Sequence, residues 1–182
     1  MSQTKHQRFM KAYEACHEPF VRYCTALAYS KMDAEDLVQD ILLSAFKNFY
    51  KIEKKGKLLH YLIRAAKNRS ISVWRKRRNE TELMSKHDDR MIAQGVSADT
   101  LLDVQLLYKA LDMLPTSQRD ALVLYEISGF SMKEIAEMQS STEGAVKTKV
   151  SRGRDKLREL LDEKGITAPS GQLLSVIKSI AL

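Results

Sequence analysis

Six cations crowd residues 142–158: Lys147, Lys149, Arg152, Arg154, Lys156 and Arg158, against only Glu143 and Asp155. Ammonium and guanidinium groups at that density bind phosphate oxygens, and a guanidinium can also grip a base edge through two donors. In the same stretch Val146, Val150, Leu157, Leu160 and Leu161 recur at helical spacing, with Gly153 on their stripe, so one side of this helix is buried. Just upstream, Ser131 is placed to cap a short helix and Glu134 to close a capping box. Ile135, Ala136 and Met138 form that helix's buried side, and Gln139-Ser140-Ser141 reads as a turn. The next helix starts near Thr142, with Ser140 or Ser141 as alternative caps. Two helices joined by so short a turn make a helix-turn-helix, which lays its second helix in the major groove of DNA.

Two further groups of residues carry chemical potential. Asp33, Asp36 and Asp40 are spaced three and four apart with Gln39 beside them, which puts three carboxylates on one helical face. Such a face caps and solvates a helix, holds a metal, or docks a basic partner. The metal reading lacks a histidine or a further carboxylate cluster to complete a coordination shell, and no metal or other cofactor is expected. The second group follows Lys54-Lys55-Gly56-Lys57. Arg64, Lys67, Arg69, Arg75, Lys76, Arg77 and Arg78 are seven bases with no acid among them, interleaved with Tyr61 and Trp74. Bases with aromatic neighbours suit single strands, whose nucleobases stack on rings while the backbone is held by charge. Cys16 and Cys24 stand eight apart on a helical stretch. That is about 12 Å of rise, too far for a disulfide, so they read as small buried thiols.

These groups must be positioned by helices. Seven glycines and three prolines in 182 residues argue for an all-α chain, and the net charge of +7 for a polyanionic partner. Phe9 to Tyr29 reads as an amphipathic helix that Pro19 interrupts. Asp33 caps a second, with Leu37, Val38, Ile41, Leu42, Ala45, Phe46 and Phe49 as its apolar stripe. Leu59, Leu62, Ile63, Ala66, Ile71 and Trp74 line the buried side of a third. Charge shows the domain boundaries: residues 1–79 carry a net +10, 80–100 a net −3, and 101–182 balance to zero. The expected architecture is two small helical domains, 1–79 and 101–164, joined by a flexible linker at 80–100, with the helix-turn-helix in the second. A tail at 165–182 is broken by Pro169 and Gly171, then shows a short apolar stripe of Leu173, Leu174, Ile177, Ile180 and Ala181. No run approaches the roughly 20 apolar residues that span a bilayer. The N-terminal residues lead into no apolar signal region, so a cytoplasmic protein without membrane insertion is expected.

Taken together, three stretches resemble bacterial sigma factors of the extracytoplasmic-function (ECF) type, over roughly residues 9–79 and 101–161. Asp33 to Phe46 is similar to the segment that binds the polymerase core. Tyr61 to Asn68 with the bases after it is similar to the segment that melts and reads the minus-10 element. Leu114 to Leu124, through Gly144 to Leu157, is similar to the domain that reads the minus-35 element. The resemblance implies a non-catalytic transcription initiation subunit with core RNA polymerase and promoter DNA, duplex and melted, as partners. An anti-sigma factor is a further partner class it leaves open. It assigns Asp33, Asp36, Leu37, Gln39 and Asp40 to core docking. Tyr61, Arg64, Lys67, Asn68, Arg75, Lys76, Arg77 and Arg78 fall to the minus-10 region. Thr142, Glu143, Ala145, Lys147, Lys149, Arg152 and Arg154 fall to the minus-35 groove, with Thr142, Glu143 and Lys147 near bases and Arg152 and Arg154 near backbone. Ser140 stands where the family commonly has a turn glycine. The competing readings are a free-standing helix-turn-helix regulator and a metal-dependent nucleic-acid enzyme.

Overall fold

The computed structural model describes residues 4–29, 31–76, 95 and 97–163, the side chains of 74–76 excepted, and every regular element among them is helical. The chain divides into two compact units, Met1–Ser85 and Lys86–Leu182.

The first unit opens with α1 (Lys5–Glu14), where Thr4 and Gln7 form a capping box. It continues with α2 (His17–Ala28). The helix expected over 9–29 is therefore two helices, and the break falls at Ala15 and Cys16 rather than at Pro19. Pro19 sits in the first turn of α2, where its missing N–H has no intrahelical acceptor to lose. Asp33 caps α3 (Ala34–Lys47), accepting from the amides of Glu35 at 2.8 Å and Asp36 at 3.3 Å. A short α4 (Phe49–Glu53) and the long α5 (Leu58–Lys76) complete the unit.

Its core joins Phe20, Tyr23 and Cys24 of α2 to Leu37, Ile41 and Ala45 of α3, Phe49 of α4, and Leu62, Ile63 and Ala66 of α5. Phe9 packs edge-on against Phe46 and Phe49, with ring centroids 5.3 and 5.2 Å apart. Burial of each large side chain contributes about 1.5–3 kcal/mol. At the start of α5 it is Leu58 that is buried, while Leu59 is only half-buried.

The second unit begins with α6 (Ala98–Met113), capped by Ser97. Next, α7 (Thr116–Leu122) runs without a break into a π-helical turn, Val123–Ile127. The Ser128 amide there reaches back five residues to the Val123 carbonyl at 3.0 Å. The wider turn accompanies the burial of Ala121, Leu122, Val123, Leu124 and Ile127 together, which a regular α-helix would spread around its circumference. Last come α8 (Met132–Met138) and α9 (Glu143–Asp162). Val146, Val150, Leu157 and Leu161 of α9 are buried with Leu107, Leu111, Leu122, Ile127 and Ile135, and Gly153 lies 3.5 Å, measured from an ideal Cβ, from the Gln118 carbonyl. No helix among the described residues is long and apolar enough to cross a membrane. The tail 165–182 lies outside the described residues.

Candidate nucleic-acid and docking surfaces

The helix-turn-helix forms as its caps require. Ser131 and Glu134 satisfy each other's amides at 2.8 and 3.2 Å. The turn is a Schellman motif: the Ser141 amide donates to the Ala136 carbonyl at 2.9 Å and the Ser140 amide to the Glu137 carbonyl at 3.4 Å. Ser140 takes φ 49° there, the left-handed conformation that glycine adopts most readily. Thr142 then caps α9, its hydroxyl accepting from the Ala145 amide at 3.2 Å.

Four of the six cations on α9 are engaged within the chain. Lys149 donates to the Gln139 side chain at 3.0 Å and ties the helix to the turn. Arg154 pairs with Glu126 of the π-helical turn, its guanidinium 5.4 Å from the centre of the Tyr125 ring. Lys156 pairs with Glu159 at 2.8 Å, which holds its ammonium above the usual lysine range. Arg158 pairs with Asp155 at 3.6 Å. Lys147 and Arg152 are exposed and have no side-chain partner among the described residues. Arg154, expected on the DNA backbone, stays 45% exposed while paired with Glu126, so a phosphate contact there would share a guanidinium that already has a carboxylate partner.

At 3.6 residues per turn Lys147 and Arg152 lie about 140° apart, on the two flanks of the exposed side. Between them runs an outermost ridge of Gly144, Thr148 and Ser151, opposite the buried stripe and all exposed. Thr148 donates its hydroxyl to the Gly144 carbonyl at 3.0 Å, leaving its oxygen lone pairs and methyl group outward. Small residues on the crest with cations on both flanks suit close approach to base edges between two phosphate strands. Thr148 and Ser151 escape a reading led by charge. Their angle from the apolar stripe was the available signal.

In the first unit Asp36, Gln39 and Asp40 are exposed on α3, while Asp33 is half-buried and spends its carboxylate on the cap. Leu37, assigned to core docking by the resemblance, is 2% exposed and lies in the unit's own core with Ile41 and Ala45, as its place on the apolar stripe requires. Tyr61, expected to offer an open ring, is half-buried with its hydroxyl bonded to Ser44 of α3 at 2.9 Å. Arg64, Asn68 and Arg69 are exposed on α5 and Lys67 is half-buried. Arg69 reaches Asp40 at 3.0 Å, so one ion pair ties the acidic face of α3 to the basic helix. Arg75 and Lys76 fall in the last turn of α5 with side chains outside the description, and Arg77 and Arg78 lie outside the described residues altogether.

Both cysteines are free and buried, and burial raises both thiols. Burial, with the neighbouring cysteines, pushes the Tyr13 phenol up to about 12. Among the described residues no His, Cys, Asp and Glu group could hold a metal ion.

Comparison with known proteins finds matches over both units. Residues 12–80 match the family described as Sigma-70 region 2, and residues 105–157 match Sigma-70, region 4. The ECF RNA polymerase sigma factor EcfG of Rhodopseudomonas palustris is 34% identical over 128 residues, 70% of this chain and 71% of that protein. The RNA polymerase sigma factor CarQ of Myxococcus xanthus is 30% identical over 131 residues, 71% of this chain and 75% of that protein. Among solved structures, the sigma factor RpoE of Bartonella quintana, crystallised with the anti-sigma factor NepR, is 31% identical with a TM-score of 0.57, covering 86% of this chain and 96% of its own.

Proposed function

The chain belongs to the ECF RNA polymerase sigma factors, and from that premise we propose how its two units divide the work of starting transcription. It binds core RNA polymerase, directs it to particular promoters and assists their opening. It makes and breaks no covalent bond; polymerisation belongs to its partner. The observation that carries this reading is the ordered pair of sigma regions, the first bearing an acidic face on α3 and a basic face on α5, the second the basic helix α9. Asp36, Gln39 and Asp40 on α3 take the polymerase. Arg64, Lys67, Asn68 and the bases from Arg75 to Arg78 take the minus-10 region, with Tyr61 at its edge. On α9, Thr142, Glu143, Ala145 and Lys147 with the Thr148 and Ser151 ridge read the minus-35 groove, and Arg152 holds a phosphate. Selectivity is then a difference in binding energy, about 1–3 kcal/mol for each good base contact.

A free-standing regulator would need only the second unit, whereas the region 2 match spans residues 12–80. The likeness to a sigma factor crystallised with its anti-sigma factor supports a regulatory partner of that kind for this chain too. The chain works where polymerase and chromosome are, in the cytoplasm. Run-off transcription tests the proposal. Core polymerase alone should give no specific transcript, and adding the chain should give discrete products from a subset of promoters; no product from any genomic promoter library would overturn it.

A further inference from the structure

We infer that Leu43 is the apolar anchor through which this chain holds core RNA polymerase, with the carboxylates beside it steering the approach; this rests on the sigma-factor reading above. Asp36, Asp40, Leu43 and Lys47 are spaced four, three and four apart on α3 and share one ridge, and all four are exposed. The other side of the helix buries Leu37, Ile41 and Ala45. Leu43 is 60% exposed, so its side chain does little for the fold. A single exposed leucine is ordinary on any surface. Its place here is not, because it continues the face that carries the acids.

The carboxylates on that face have less to give than their number suggests. Asp33 accepts two amides of its own helix. Asp40 already holds Arg69 at 3.0 Å, so meeting a partner's cation exchanges one exposed ion pair for another. Such exchanges contribute little net affinity but steer encounter and orientation. Asp36 is the exposed acid left without a side-chain partner among the described residues. Binding energy in protein interfaces concentrates in a few desolvated anchors inside a polar rim, and Leu43 is the large apolar group on this ridge. The fitting surface on polymerase is basic, with an apolar pocket about two helical turns from the cation that meets Asp36 and about one from the cation that meets Asp40.

Core affinity of the full chain, labelled and read by fluorescence anisotropy at low and high salt, tests the assignment. Leu43→Ala should weaken binding about ten-fold or more at both salts. Leu43→Met should bind within about two-fold of wild type, because it keeps the apolar volume. Asp36→Asn and Asp40→Asn should each cost less than about three-fold, an effect that shrinks as salt screens it. Met10→Ala, another exposed apolar group at 46%, should change nothing. The melting temperature of Leu43→Ala should match wild type. The inference falls if Leu43→Ala binds within two-fold of wild type, if either acid substitution costs more, or if Met10→Ala costs as much. Wild-type chain that fails to bind core would overturn the sigma-factor reading itself, a separate outcome.

Discussion

The two basic helices, α5 and α9, look alike as strings of bases and differ in what the fold leaves available. On α9 four of six cations are held by Gln139, Glu126, Glu159 and Asp155. That leaves Lys147 and Arg152 on the flanks of a small-residue crest. On α5, Arg69 pairs with Asp40 of the neighbouring acidic face of α3. The positions of acids, more than the count of bases, decide how much charge a helix offers to DNA. On α9, Glu126 turns Arg154 into a strut to the π-helical turn, while Glu159 and Asp155 hold Lys156 and Arg158 along the helix itself. On α5, Asp40 links two faces of one unit.

Substitutions along α9 can separate its three jobs of packing, bracing and reading. Leu157 is fully buried, and Leu157→Ala should lower unfolding stability by about 2–5 kcal/mol in denaturant titrations. A loss below 1 kcal/mol would show that the core around Leu157 is packed more loosely than its burial implies. Lys147→Ala should leave stability intact, weaken minus-35 use by about 1–3 kcal/mol and reduce the salt slope of promoter binding by about one. Core affinity should not change. Arg154→Ala should do the reverse, costing up to about 1 kcal/mol of stability with the salt slope preserved; a reduced slope would return Arg154 to the DNA backbone.

Alkaline pH should strike the first unit. Tyr13, raised to about 12, is still protonated in the folded state when its unfolded counterpart has ionised. Its stabilising contribution is complete below pH 10 and is lost as pH rises toward 12. The raised thiols of Cys16 and Cys24 act in the same direction from about pH 9. Thermal melts of the first unit should therefore fall steadily above pH 9, and Tyr13→Phe should flatten the upper part of that fall.

The smallest effect concerns turns. Gly56 takes φ 60° in the first unit, with nothing within 4 Å of where a Cβ would stand. Ser140 takes φ 49° in the second. Ser140→Gly should stabilise the helix-turn-helix by about 0.5–1 kcal/mol, read as a rise in melting temperature. A fall would mean that the serine hydroxyl holds the turn.

Local devices were legible in the sequence because caps, boxes and apolar stripes depend on residues three or four apart. The Ser131 box, the Thr142 cap and the buried stripe of α9 all fall in that class. What escaped were pairings set by the fold: Tyr61 with Ser44, Asp40 with Arg69 and Glu126 with Arg154, separated by 17, 29 and 28 residues. Leu37 was placed on the apolar stripe by its phase with Ile41 and Ala45 and on the docking face by the family resemblance, and its burial follows the stripe. The π-helical turn has no local sequence rule, since it answers to how many consecutive apolar residues the core accepts. Thr148 and Ser151 were visible in angle and missed because charge guided the choice.

The central claim is that the chain is a dissociable polymerase subunit whose docking and promoter surfaces are separate. An anisotropy titration of the labelled chain with purified core RNA polymerase, at near-physiological salt, tests it most directly when Lys147→Ala is run beside wild type. The account predicts saturable binding at one chain per polymerase with the two curves superimposed. No binding to core, alongside tight binding of the chain alone to duplex DNA, would contradict it.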